Sequence, residues 1–141
     1  MAEPMNSQVR STPYRKKILV VDDSPDAAEL VRALLELQGH EVRSAFMPRE
    51  AIAIAQEFQP DVAFLDIGLP DMDGFELAAT LSTLPELRDC RFIAITGYDD
   101  ADDRRKSKQV GFEAHLVKPI SAESLERAVL GARGRSAQQV G

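Results

Sequence analysis

At 141 residues, with 44% hydrophobic and 28% charged side chains, the chain has the size and apolar content of one globular domain that buries a core without disulfide or metal staples. Seventeen basic against 23 acidic residues give a net charge of −6, which argues against a nucleic-acid surface formed by this chain alone. No apolar run exceeds five residues, too short for a transmembrane helix or a signal-peptide core. The single cysteine, Cys90, cannot close an intramolecular disulfide, so a reducing cytoplasm is the expected home and packing the expected role of its thiol.

Residues 1–14 mix Pro, Ser, Asn and Gln without periodicity and read as a disordered tail. Ile18-Leu19-Val20-Val21 is a β-branched run that reads as a first buried strand, ending on Asp22-Asp23. Ser24 is placed to cap a helix with Pro25 at its first position; Leu30, Val31, Leu34 and Leu35 form its apolar face and Gly39 ends it. Glu41–Ala45 alternates and suits an edge strand. Pro48 opens a second helix with Ile52, Ala55 and Phe58 on one face. Val62–Leu65 then reads as a strand buried on both faces, ending on Asp66 before the turn formers Gly68 and Pro70.

A third helix is expected from about Asp73, where Asp73 and Glu76 can form a capping box. Arg91–Thr96 is the fourth strand. The stretch from Tyr98 to Val110 is mostly charged and only weakly amphipathic, so its helix is expected to be exposed and relatively mobile, with Asp99 to Lys108 as a solvated face. Ala114–Lys118 makes a fifth strand. Ser121 starts a last helix with Leu125, Ala128, Val129 and Ala132 on one face, and residues 134–141 read as a flexible end.

Strands alternating with helices imply a parallel sheet covered on both faces. No G-x-G-x-x-G follows the first strand, which removes the dinucleotide-binding winding. The flavodoxin-like α/β order 2-1-3-4-5 remains, a (βα)5 three-layer sandwich whose winding reverses between strands 1 and 3. Asp22, Asp23 and Asp66 then meet at one crevice, with Thr96 and Lys118 on the same rim. Three neighbouring carboxylates repel one another unless a cation sits among them. An all-oxygen donor set favours a hard ion, and two or three carboxylates plus water suit Mg²⁺. In that setting Asp66 can act as a nucleophile toward a phosphoryl group, with Lys118 pairing with the phosphoryl oxygens and the Thr96 hydroxyl hydrogen-bonding to one of them. Asp71 and Asp73 need only loop and capping roles.

The set Val21-Asp22-Asp23, Leu65-Asp66, Thr96-Gly97 and Leu116-Val117-Lys118-Pro119-Ile120 resembles the receiver domain of bacterial two-component response regulators, from about Lys16 to Arg133. The resemblance implies a receiver domain over residues 15–133. It makes Asp66 the phosphoacceptor, with Mg²⁺ held by Asp22, Asp23, Asp66 and the backbone carbonyl of Gly68. Thr96 becomes the switch hydroxyl, and the bond before Pro119 becomes a cis bond that positions Lys118. Phosphoryl transfer would come from a histidine kinase or a histidine phosphotransfer protein. The new charge would switch a downstream protein through the fourth helix, fifth strand and fifth helix. Such a domain catalyses only its own phosphorylation and dephosphorylation, and is a switch rather than a turnover enzyme. The residues outside it leave no room for an effector domain, so the resemblance covers a stand-alone regulator or a receiver from a hybrid histidine kinase. One departure stands out: receivers usually carry Tyr or Phe three residues before the lysine, and here the position is His115, either an edge-strand surface residue or a polar substitute for the aromatic switch.

Two readings of other kinds compete. A Mg²⁺-dependent phosphohydrolase with an aspartyl nucleophile, as in haloacid-dehalogenase-like enzymes, would need an Asp-x-Asp pair after the first strand and a cap to select substrate, whereas Asp22 and Asp23 are adjacent. A phosphorylation-independent protein-binding module would leave the intact acidic set without a purpose.

Overall fold

The computed structural model describes residues 15–68, 73–97 and 101–131. The expected tails at 1–14 and 134–141, the loop residues Pro70 and Asp71, the expected helix start at Tyr98 and the apolar position Ala132 lie outside the described residues. Five strands, β1 (Lys17–Val21), β2 (Glu41–Ala45), β3 (Val62–Asp66), β4 (Arg91–Thr96) and β5 (Phe112–Val117), form one parallel sheet of order β2-β1-β3-β4-β5. Five helices connect and follow them: α1 (Pro25–Leu37), α2 (Pro48–Phe58), α3 (Gly74–Ser82), α4 (Ala101–Val110) and α5 (Ala122–Leu130). A short 3₁₀ turn, Pro85–Leu87, precedes β4. The fold is flavodoxin-like, as the pattern predicts.

Successive strand residues point to opposite faces, so a central strand covered on both sides must be apolar throughout. In β1, Leu19 and Val21 enter a core with Ala63, Leu65, Leu77 and Leu81, on the side of α2 and α3. Ile18 and Val20 enter the opposite core with Phe64, Val31, Leu35 and Leu125, on the side of α1 and α5. All five residues of β3 are buried, Asp66 included.

The helix starts follow the expected residues, although Asp73 and Glu76 form only one arm of the expected capping box. The Ser24 hydroxyl accepts from the Ala27 N–H with Pro25 at the first position of α1, and Asp73 accepts from the Glu76 N–H at the start of α3. Ser121 and Ser124 cap α5 reciprocally. After α1, Gly39 takes φ +98°, a left-handed value that favours glycine.

Three expectations shift. Leu30 is 58% exposed, because α1 buries the narrower stripe Ala28, Val31 and Leu35, and Leu30 lies to its side. In α2 the expected Ala55 and Phe58 are buried, but Pro48 and Ala51 complete the face and Ile52 is only partly covered. Strand β5 begins at Phe112 rather than Ala114 and ends at Val117, leaving Lys118 just beyond it.

Two polar side chains fasten the amino-terminal edge of the sheet. Arg91 forms a fork with both carboxylate oxygens of Glu113 (2.7 and 2.6 Å) and donates to the Ala128 and Val129 carbonyls. One guanidinium thus joins β4, β5 and the last turn of α5, where its positive charge also suits the helix dipole. His40 is buried, and its Nδ1 accepts the Lys16 backbone N–H at 3.0 Å. That bond requires an unprotonated Nδ1. Burial pushes the imidazole below its ordinary value, and the neighbouring charges of Lys16 and Arg15 push the same way against Glu126.

The folded protein therefore takes up the His40 proton less readily than the unfolded chain. His40 supports the fold fully above the ordinary histidine value of 6.5, and that support declines as pH falls below 6.5 toward the lowered folded-state value. Urea unfolding of the native chain and of His40→Asn at pH 7.5 and 5.5 checks this. The native chain should lose more stability over that interval than the variant.

Candidate functional site

The candidate residues lie at the carboxyl edge of the sheet, where the winding reverses between β1 and β3 and open α/β sheets form their crevice. Val21 at the end of β1 pairs with Leu65, and the next N–H, that of Asp22, is bonded to the Ala45 carbonyl of β2 (3.1 Å). Asp66 closes β3 opposite Ile95. Thr96 closes β4 opposite Val117, and the Lys118 N–H continues the ladder to the Thr96 carbonyl at 2.8 Å. Backbone pairing of four strands thus brings distant sequence positions to one rim.

Asp22 and Asp66 are buried and Asp23 is exposed; one carboxylate oxygen from each lies within 4.8 Å of the others. Lys118 Nζ sits between two of them, 3.3 Å from Asp66 Oδ2 and 3.5 Å from Asp22 Oδ2. The remaining oxygens are held from the backbone: Ser24 N–H donates to Asp22 Oδ1 (2.9 Å) and Gly68 N–H to Asp66 Oδ1 (2.8 Å). Both carboxylate planes are therefore oriented. The peptide bond between Lys118 and Pro119 is cis.

Burial pushes the Asp22 carboxyl above its ordinary value, and the charge of Asp66 adds to this; the Ser24 N–H and Lys118 oppose it without cancelling it. Burial also disfavours the charge on Lys118, but Asp66 and Asp22 outweigh that effect, so the ammonium is held above its ordinary value. Lys118 contacts two of the three carboxylates, so among the described residues the cluster retains excess negative charge. Its donors are all oxygens, the kind that hard divalent cations take. Octahedral Mg²⁺ sets its ligand oxygens at most about 4.2 Å apart, so the observed spacing fits such an ion after a small contraction or with bridging water.

Thr96 is buried at the end of β4, on the face of the sheet that also carries Ala94. His115 is half-buried on β5, and its Nδ1 lies 3.2 Å from the hydroxyl of buried Ser107 in α4. It is thus not a freely solvated edge residue. Cys90 is half-buried against the core, and burial pushes its thiol up to about 12, so it carries negligible thiolate at neutral pH.

Two site-shaping residues escape sequence reasoning. Gly74, the first residue of α3, donates its N–H to the Ile67 carbonyl (3.2 Å) and leaves no room for a side chain. A Cβ there would stand 2.5 Å from Ile67 Cα and 2.7 Å from the Asp66 carbonyl oxygen. The Asp73-Gly74 pair marks a helix start in the sequence, but its closeness to Asp66 is a tertiary fact. Ser107 is the other; its only signal is an uncharged residue between Lys106 and Lys108.

Comparison with known proteins gives this geometry its class. The family model described as the response regulator receiver domain matches residues 18–130. The chain belongs to that family, the receiver domains of two-component signalling. It is 33% identical over 113 residues to the protein PilH of Pseudomonas aeruginosa, covering 80% of this chain and 93% of PilH. It is 35% identical over 106 residues to the polar-differentiation response regulator DivK of Brucella ovis, covering 75% of this chain and 86% of DivK. The solved structure of the chemotaxis protein CheY4 of Vibrio cholerae superposes with a TM-score of 0.79 at 31% identity, covering 82% of this chain and 97% of that one.

The contrast between two glycines tests how tightly the site is built. Gly74→Ala must displace the backbone that carries Asp66 and is expected to lose about 1–3 kcal/mol of stability. At Gly68 an added Cβ would meet Asp66 Oδ1 at an ordinary 3.5 Å, so Gly68→Ala should stay within about 1 kcal/mol of the native chain. Urea unfolding of the two variants gives both values, and equal losses would contradict the packing described.

Proposed function

We propose that the chain accepts a phosphoryl group on Asp66 from a phosphohistidine and uses the added charge to change its affinity for a downstream protein. The observation that carries this reading is the position of Lys118 Nζ, between Asp66 and Asp22 at the rim where Asp23 completes an all-oxygen cluster. Asp66 is buried at the rim and fixed for attack, since the Gly68 N–H holds its Oδ1 and Lys118 its Oδ2. In the transfer, an Asp66 carboxylate oxygen forms the new O–P bond as the P–N bond of the donor imidazole breaks, and the electron pair returns to the imidazole.

Lys118 is close enough to follow the incoming phosphoryl oxygens, and Thr96 at the end of the neighbouring strand supplies the hydroxyl for a further hydrogen bond. Asp22, Asp23, Asp66 and the Gly68 carbonyl would hold Mg²⁺, which neutralises charge on the phosphoryl group when bound. The donor is a histidine kinase or a histidine phosphotransfer protein. The output face is formed by α4, β5 and α5, the cell compartment is the cytoplasm, and the domain extends over residues 15–133. The domain catalyses only its own phosphorylation and dephosphorylation.

Intact-mass measurement after incubation with acetyl phosphate and Mg²⁺ tests the reading. The native chain should gain one phosphoryl group, Asp66→Asn should gain none, and chelation of the metal should abolish the adduct. A native chain that gains no adduct, or an adduct that persists in Asp66→Asn, would overturn it.

A further inference from the structure

α4 differs from the other helices in how it is held. The other four each bury at least two large or aliphatic apolar residues on the sheet. Among the described side chains of α4, from 104 to 110, the buried one is Ser107; Val110 is half-buried and the others are exposed. Lys106 adds a contact over the Phe75 ring of α3, with Nζ 5.6 Å from the ring centre. A buried hydroxyl requires a partner, and Ser107 finds it in His115 Nδ1 at 3.2 Å. We propose that this Ser107–His115 hydrogen bond is the joint that holds α4 to β5, and that Ser107 is the positioning residue for the imidazole.

The sheet is shaped to make the joint possible. The register between β4 and β5 slips by one residue: Phe92 pairs with Phe112, but Ile93 pairs with Ala114. The extra residue, Glu113, is taken up by Arg91. Without the slip, His115 would turn toward α1 and α5. With it, Ala114 and Leu116 pack on that side and His115 turns toward α4.

Opposite His115 on β4 is Ala94, small enough to leave space, and two residues further along the same face comes Thr96. The Thr96 carbonyl in turn holds the Lys118 N–H. His115 therefore stands between the rim that carries Asp66 and the helix nearest to it. A hydrogen bond is lost within a few tenths of an ångström beyond its normal length, so a small displacement of α4 or β5 breaks the joint.

The bond is made with Lys118 resting on Asp22 and Asp66. A phosphoryl group drawing Lys118 and Thr96 toward itself moves the β4 and β5 ends, and the joint opens. This second step rests on Asp66 as the phosphoacceptor, while the joint itself does not.

Amide hydrogen exchange across residues 101–110 tests both parts, in the native chain, Ser107→Ala, His115→Phe and the double variant, each with and without Mg²⁺ and beryllofluoride. Without the analogue, either single substitution should speed exchange in α4 about fivefold, the change for loss of one net hydrogen bond, and the double variant should go no further. Exchange in β1 and β3 should not change. With the analogue, α4 exchange should rise in the native chain and barely change in Ser107→Ala. Native-like α4 exchange in Ser107→Ala, or additive effects in the double variant, would overturn the joint. An analogue response equal in the native chain and Ser107→Ala would overturn its part in signalling. No protection around Asp66 in the native chain on adding the analogue would instead overturn the phosphoacceptor reading, and the analogue-free comparison would still decide the joint.

Discussion

The structure depends on a charge imbalance held in place at one edge of a sheet. Three carboxylates, two of them buried, face a single ammonium whose Nζ lies 3.3 and 3.5 Å from its two nearest acceptors. Burial raises the cost of the negative charge on Asp22, and the repulsion of Asp66 adds to it. A fold optimised only for stability would replace such a cluster with neutral side chains. Its persistence makes physical sense if added positive charge completes the site and if the carboxylates have chemistry to perform.

Everything beneath that edge keeps the imbalance from relaxing. β1 from Ile18 to Val21 and β3 from Val62 to Leu65 are apolar and buried, so neither strand can slide its aspartate toward bulk water without uncovering core on both faces. Gly74 lets α3 close against the Asp66–Ile67 backbone. The Ser24 and Gly68 N–H groups fix one oxygen of each buried carboxylate, which leaves the others to Lys118. At the opposite edge, Arg91 joins two strands to the end of α5. α4 is the exception to this rigidity: among its described side chains the buried one is Ser107, with Val110 half-buried against the core.

The parts of this arrangement that were readable in the sequence are those governed by short-range rules. Strand runs such as Ile18–Val21, helix starts at Ser24, Asp73 and Ser121, and the glycine after α1 each follow from a few adjacent residues. That Asp22, Asp23, Asp66, Thr96 and Lys118 meet at one rim was legible because a parallel sheet delivers its strand ends to one edge once the strand order is known. Leu30 was misplaced because apolar spacing alone does not say which edge of a helical stripe meets the core. His40, the Arg91–Glu113 fork, Gly74 and the Ser107–His115 pair were illegible for a different reason. Each is defined by a partner that only folding brings near, and the β5 register slip that turns His115 toward α4 leaves no mark in the hydrophobic pattern.

The central claim is that the acidic cluster is incomplete without a divalent cation, and thermal unfolding with and without MgCl₂ at fixed ionic strength tests it most directly. In the native chain, Mg²⁺ at ten times its dissociation constant should add about 1.4 kcal/mol, or roughly 4–7 °C for a domain of this size. Asp22→Asn keeps the acceptor for the Ser24 N–H and removes one buried charge. It should therefore be more stable than the native chain in metal-free buffer and gain little from Mg²⁺. A metal-free Asp22→Asn less stable than the native chain, together with an equal Mg²⁺ shift in both, would contradict the account.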